Sequence, residues 1–426
     1  MNGEEAISSN DGGQKRPREI VDDPSSKALK CETDTEENGV EAAKKVLDGS
    51  EEQLQEVSVD GDTASGSHKE EESQQPKEES TTSSSTPAAK TDDVKEATDN
   101  RTSKDYYFDS YAHHSIHEEM LKDEVRTKTY QMAILQNPQI FKDKIVLDVG
   151  CGTGVLSMFA AQAGAKHVYA VDCSSIIHQA RTIVKLNNFE DKITLIEGKI
   201  EEIKLPVAQI DVLLSEWIGY CLLYESMLDS VLFARDKWLV PNGIVFPDKS
   251  VLYIAAIEDG QVKKERIDFW DNVYGFDMTP LKDIAIKEPV VDVVDAKALV
   301  TDAVPVLTLD ILTCTKEDLA FKNPFKLKAH RNDYIHGLVT YFECAFTQLH
   351  KPIGFSTAPF ARYTHWKQTI FYLRNTLTIC NRETIEGEFA CRPNAKNNRD
   401  LDISISLSFK GLYSQFEQKD IEYRLR

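Results

Sequence analysis

Two glutamates stand nine positions apart in the apolar segment "SEWIGYCLLYESM", Ser215 to Met227, with no Lys or Arg between them. Carboxylates are costly to desolvate unless a positive group pairs with them. Taken singly, each has a structural reading: Glu216 ends a strand, and Glu225 opens a helix whose dipole favours an acid. As a pair bracketing an apolar loop they suit a planar cation, because a guanidinium meets carboxylates through bidentate, charge-assisted hydrogen bonds. The pair therefore predicts a docking site whose positive partner is the substrate.

A glycine-rich turn precedes the pair. In "VLDVGCGTG", Gly150, Gly152 and Gly154 lie between a β-branched run (Ile145–Val149) and a helical one (Val155–Ala163). Glycines there allow a tight turn and close backbone approach to a ligand at a helix N-terminus. Asp172 closes the next apolar run, 18 residues after Gly154, the place where a ribose diol is bound in nucleotide-binding βαβ units. The spacing GxGxG suits S-adenosylmethionine better than NAD. An ordinary strand-to-helix turn can carry the same glycines, so the acid is what sharpens the reading.

Periodicity supplies the elements that must position these groups. Residues 117–135 read as one charged amphipathic helix with no breaker before Pro138. Strands then alternate with helices as far as "QIDVLLSEW", which predicts a doubly wound, Rossmann-like parallel sheet whose carboxyl edge holds ligands. After "KWLVPNGIVFPDKS" the pattern becomes short alternating strands, clearest in "LDISISLSFKG", and predicts an antiparallel β domain. Within it, residues 263–286 are helical in pattern and aromatic-rich, an insertion suited to contact another subunit.

Composition sets the boundaries. Residues 1–104 hold no Phe, Trp or Tyr and carry 26 acids against 13 bases, so they cannot bury enough apolar area to order themselves. They read as an acidic, low-complexity, disordered tail, followed by a cofactor-binding domain at 105–247 and a β domain at 248–426. No run is long and apolar enough to span a bilayer and the start is not signal-like, so a soluble intracellular protein is expected. Eight cysteines without a CxxC pair fit reduced thiols. The short cluster "QKRPRE" is compatible with nuclear import, although clusters this short are common by chance. The folded part has 44 acids against 37 bases, a balance that disfavours nucleic acid and suits a cationic substrate.

From "YYFDSY" and "IHEEMLKDEVRT" through "VLDVGCGTG" and "SEWIGYCLLYESM" to "YTHW" and "RPNAKNNRDLD", the chain from about residue 105 onward resembles the protein arginine N-methyltransferases of type I. The resemblance implies an S-adenosylmethionine domain, a β-barrel and a dimerisation arm near residues 260–294 that docks on the partner to form a homodimer, with higher oligomers open. It implies that Arg126 pairs with the cofactor's carboxylate, that Asp148 and Gly150 shape the pocket for its methionine end with His117 alongside, that Asp172 holds the ribose, and that Glu201 meets the adenine amine. Asp172 stands where the family usually has Glu, and His114 and Ser115 replace an aromatic and a glycine. Glu216 and Glu225 would grip the substrate arginine, His365 with Asp123 would relay a proton, and Trp366 would wall the pocket.

Tyr107 and Tyr111 would cover the cofactor and orient Glu225, although packing alone explains their spacing. Met120 and Met227 would flank the reacting nitrogen and imply monomethyl- and asymmetric dimethylarginine, with S-adenosylhomocysteine as by-product and no metal. Expected substrates are Gly/Arg-rich RNA-binding proteins and histone tails, in nucleus and cytoplasm, without direct nucleic-acid or membrane binding. Two other readings remain: a methyltransferase for a small molecule, and a non-catalytic dimeric scaffold.

Overall fold

The computed structural model describes Tyr111 and residues 113–426, so the tail, its basic cluster and Tyr107 lie outside the described residues. Among the described residues, the α-helices of seven residues or more are α1 (His114–Lys122), α2 (Glu124–Leu135), α3 (Val155–Gln162), α4 (Ile176–Leu186) and α5 (Leu228–Trp238), then α6 (Gly260–Arg266) and α7 (Thr279–Ala285) further on. The helix expected across residues 117–135 is in fact two. Asp123 is extended (φ −68°, ψ 94°) and caps α2, its side chain accepting from Arg126 N at 3.0 Å. An acid that can bond the backbone two or three residues on competes with helix continuation, which is why the break falls there.

Strands β1 (Ile145–Val149), β2 (His167–Asp172), β3 (Ile193–Glu197), β4 (Ile210–Ser215) and β5 (Leu239–Phe246) form a parallel sheet in the order β3-β2-β1-β4-β5. Helices on its faces explain why β1 and β4 read as nearly continuous apolar runs rather than alternating ones. Strand order reverses between β1 and β4, and a crevice opens there at the carboxyl edge.

The second half is antiparallel. β6 (Lys249–Ile257), β7 (Val290–Asp292), β8 (Val304–Asp310), β10 (Asp333–Phe346), β11 (Ile353–Ser356) and β12 (Gln368–Ile379) make one sheet, and β9 (Phe321–Lys328), β13 (Thr384–Pro393), β14 (Leu401–Lys410) and β15 (Gln415–Leu425) a second. In β14, Leu401, Ile403, Ile405, Leu407 and Phe409 are buried, as the alternation predicts. The parallel sheet and the barrel share a core: Tyr130 of α2 and Phe246 of β5 both pack on Phe346 of β10, ring centroids 5.0 and 5.4 Å apart. Each such ring removes apolar surface worth about 1.5–3 kcal/mol, and together they hold the cofactor-side sheet against the barrel.

The insertion is less helical than its pattern suggested. Between α6 and α7 it passes through a 3-10 turn (Asp268–Asp271) and left-handed backbone at Tyr274 and Gly275. Its base is anchored by the buried Lys263, whose Nζ donates to Arg374 O at 3.2 Å. Its tip is exposed and apolar: Tyr274 is 97% and Phe276 68% accessible.

Candidate active site

A cavity of about 900 Å³ sits at the crevice, walled by the ends of β1, β2 and β4 and by loops from the barrel. The glycine turn forms one wall. Gly150 has φ +74°, the left-handed backbone that favours glycine, and a Cβ there would come within 2.2 Å of Cε at the flexible end of Met227. Gly152 N donates to Asp172 Oδ2 at 2.9 Å, while Asp172 Oδ1 accepts from Ser174 N and Oγ at 2.8 and 2.7 Å. Asp172 thus lines the cavity and also ties the turn to the end of β2. Glu201, farther along this wall, accepts from Ser230 Oγ at 2.6 Å. His117 is buried, Nε2 donating to Tyr111 O at 2.8 Å, with its ring beside Gly152.

Asp148 and Gly154 shape the turn from behind instead of lining the cavity. Gly154, at φ +82°, starts α3 against Ala180 and Val184 of α4. Asp148 is wholly buried. Its Oδ2 accepts from Ser157 Oγ at 2.6 Å, and Oδ1 has no hydrogen-bond partner among the described residues. Burial, against the Ser157 bond and helped by the charge of Asp172, pushes its carboxyl up to about 7.

The opposite wall corrects the expectation about the glutamates. Glu216 is already paired within the chain: Arg126 Nε and Nη2 both lie 2.8 Å from Glu216 Oε2, and both side chains are buried. Glu216 Oε1 accepts from Ile218 N at 3.0 Å. The cation comes from α2, 90 residues upstream, because Asp123 starts α2 so that Arg126 lies in its first turn. Arg126, expected on the cofactor's carboxylate, therefore holds Glu216 here. Its Nη1 also donates to Met120 O at 3.3 Å. Glu225 faces the same cavity and accepts from Tyr111 Oη at 2.8 Å, the contact expected of that tyrosine.

The barrel contributes "THW". His365 Nδ1 lies 2.7 Å from Asp123 Oδ2, which also accepts from His365 N at 2.9 Å. Burial alone would raise the Asp123 carboxyl, but the hydrogen bonds from His365 and from Arg126 N outweigh it and hold it below the usual carboxylate range. Asp123 does not line the cavity and acts through His365. An ionised carboxylate only accepts, so the proton sits on Nδ1 and leaves Nε2 as the ring's acceptor in the neutral form. Trp366 is wedged between Phe342 and Phe355 and donates from Nε1 to Ile218 O at 2.9 Å, which fastens the barrel to the glutamate loop. Met120 and Met227 also line the cavity.

Sequence reasoning missed three participants. Tyr130 Oη donates to Ser215 O at 3.1 Å and supports the strand end beside Glu216. Asn398 and Arg399 reach the cavity from the loop between β13 and β14. The signal was present in "RPNAKNNRDLD", to which no role had been given. Among the described residues, no cluster of three or more His, Cys, Asp or Glu side chains is placed to hold a metal ion.

A glycine turn on a parallel sheet, an acid on the neighbouring strand and a fused antiparallel barrel define a two-domain methyltransferase architecture. A methyltransferase-domain model matches residues 146–243, and one described as the arginine methyltransferase oligomerization subdomain matches residues 248–414. The chain is 57% identical over 327 residues to protein arginine N-methyltransferase 1 of Chlamydomonas reinhardtii, covering 77% of this chain and 94% of that one. It is 56% identical over 333 residues to the Schizosaccharomyces pombe protein of the same name, covering 78% and 98%. Among solved structures, a Trypanosoma brucei PRMT1 enzyme–prozyme heterotetrameric complex with AdoHcy contains a chain matching at 47% identity and TM-score 0.73, over 74% of this chain and all of that one. The chain belongs to the protein arginine N-methyltransferase family.

Proposed function

We propose that this S-adenosylmethionine-dependent protein arginine methyltransferase binds its cofactor and a protein arginine side by side in the cavity, and carries the guanidino nitrogen to monomethyl- and asymmetric dimethylarginine. The observation that carries this reading is the meeting, in one cavity, of the glycine turn with Glu216, Glu225 and His365. The residues fit the cofactor: the left-handed turn at Gly150 brings backbone to the cavity wall, Asp172 closes β2 where a ribose is held, and Glu201 stands along the same cavity. When bound, S-adenosylmethionine supplies an activated methyl group.

The chain's own residues do the rest. A guanidinium is a poor nucleophile because its lone pair is delocalised and its pKa exceeds ~12. Glu216 and Glu225 attract positive charge to one side of it, which leaves the other terminal nitrogen freer to react, and they hold its orientation. Arg126 bonds only Oε2 of Glu216, so Oε1, which accepts from Ile218 N, keeps a lone pair for the substrate. Methylation acidifies the nitrogen, so a strong base is not needed beforehand; His365 Nε2 accepts the proton and Asp123 stabilises the resulting imidazolium.

Met120 and Met227 on the wall support the asymmetric product, and the acidic balance supports Gly/Arg-rich proteins and histone tails as substrates. The exposed Tyr274 and Phe276 support a homodimer through the arm, in an enzyme of nucleus and cytoplasm. The test is incubation with S-adenosylmethionine and a Gly/Arg-rich peptide, followed by mass analysis. Asymmetric dimethylarginine is expected. Symmetric product overturns the type I assignment, and no product with cofactor bound favours a scaffold.

A further inference from the structure

The loop joining β13 to β14, residues 394–400, is built more firmly than a connection needs. Asn394 Oδ1 accepts from Lys396 N and Asn397 N at 2.9 and 3.1 Å, and Asn394 N donates to Asp400 O at 2.9 Å. Asn397 Nδ2 donates to Asp400 Oδ1 at 2.6 Å, and Arg424 of β15 pairs with Asp400 Oδ2 at 2.8 Å. Asp400 is itself buried. This loop grips the backbone that carries Glu225. Glu225 N donates to Arg399 O at 2.9 Å, Arg399 Nη1 donates back to Glu225 O at 2.8 Å, and Ser226 Oγ bonds Asn398 O.

The gripped segment needs holding. Glu225 and Ser226 have φ of +76° and +53°, and Cys221 and Leu222 earlier in the same loop are also left-handed. Each such non-glycine residue costs on the order of 1 kcal/mol or more unless its surroundings over-determine it. Tyr111 orients only the carboxylate tip of Glu225; the backbone conformation that aims the side chain into the cavity is secured from the barrel side.

We infer that Arg399 is a positioning residue for the methyl transfer: its reciprocal bonds with Glu225 fix where that carboxylate meets the substrate guanidinium. The inference rests on the function proposed above. It separates two kinds of failure, because Arg399 acts on the acid wall, and the contacts of the glycine turn with Asp172 do not include it.

The experiment compares wild type, Arg399→Ala and Arg399→Lys as full-length proteins, measuring kcat and KM on a Gly/Arg-rich peptide, S-adenosylhomocysteine binding by calorimetry, and melting temperature. Arg399→Ala should lower kcat about 10- to 100-fold, the range for misplacing a catalytic group. S-adenosylhomocysteine affinity should stay within about twofold of wild type, and Arg399→Lys, which keeps a donor, should recover part of the loss. If Arg399→Ala retains wild-type kcat, or loses cofactor affinity and melting temperature in parallel with activity, Arg399 is not a positioning residue. A wild-type protein that binds S-adenosylhomocysteine but methylates no arginine peptide overturns the function, and this inference with it.

Discussion

The two walls of the cavity are made in opposite ways. The glycine wall is local: β1, its turn, α3, β2 and Asp172 lie within 28 consecutive residues, and its geometry is set by glycine backbone and neighbouring hydrogen bonds. The glutamate wall is assembled from afar. Glu216 is held by Arg126 from α2, Glu225 by Tyr111 and by Arg399 174 residues away, and the loop between them by Trp366 of the barrel. A wall made of backbone tolerates side-chain loss elsewhere and supports binding. One made of long-range charge pairs can be aimed accurately, and it fails when one partner is removed.

The sharpest way to break this contrast is to neutralise one carboxylate. Glu225→Gln keeps shape and removes the charge, and kcat should fall about 10³-fold, the scale for losing a pre-aimed electrostatic group, with S-adenosylhomocysteine binding retained. Calorimetry beside steady-state rates decides it; equal loss of both would mean the walls are not separable. Next in size, Asp123→Asn removes the acceptor that keeps the proton on His365 Nδ1, and kcat should fall about 100-fold. Asn caps a helix about as well as Asp, so Asp123→Asn should leave α2 and Arg126 in place, whereas Asp123→Ala, which also removes the cap, should disturb both. Circular dichroism beside rates separates the two. On the other wall, Gly150→Ala should weaken S-adenosylhomocysteine binding about tenfold through left-handed strain, as Met227 is flexible enough to give way.

The same contrast explains what was readable from sequence. "VLDVGCGTG" with Asp172 was legible because turn, helix start and strand end are neighbours in the chain, and the alternation of β14 was legible because period two needs only one strand. Glu216's partner was not, since nothing in "SEWIGYCLLYESM" points 90 residues back to Arg126. The break at Asp123 was missed for a related reason: an aspartate inside an amphipathic run looks solvated until His365 arrives from the barrel to bond it. Arg399 lay within a quoted motif, but its task is defined by the left-handed backbone at Glu225, which no local pattern announces.

A change in stability rather than in activity is expected at Asp148, the buried acid behind the glycine wall. Its carboxyl titrates near 7 in the fold and near ~4 in the unfolded chain. Between those values the folded state binds the extra proton, so this group makes stability fall as pH rises from about 4 to 7, the reverse of Asp123, whose contribution is present above the unfolded carboxylate pKa and lost as pH falls through its lowered one. Asp148→Asn keeps a donor and an acceptor near Ser157 and removes the titration. Denaturant unfolding of the variant should therefore show a flatter pH profile over that window, gaining up to about 4 kcal/mol over wild type at pH 8 and nothing at pH 4. Unchanged curvature would place the titrating group elsewhere, and would leave the glycine wall as purely a matter of backbone.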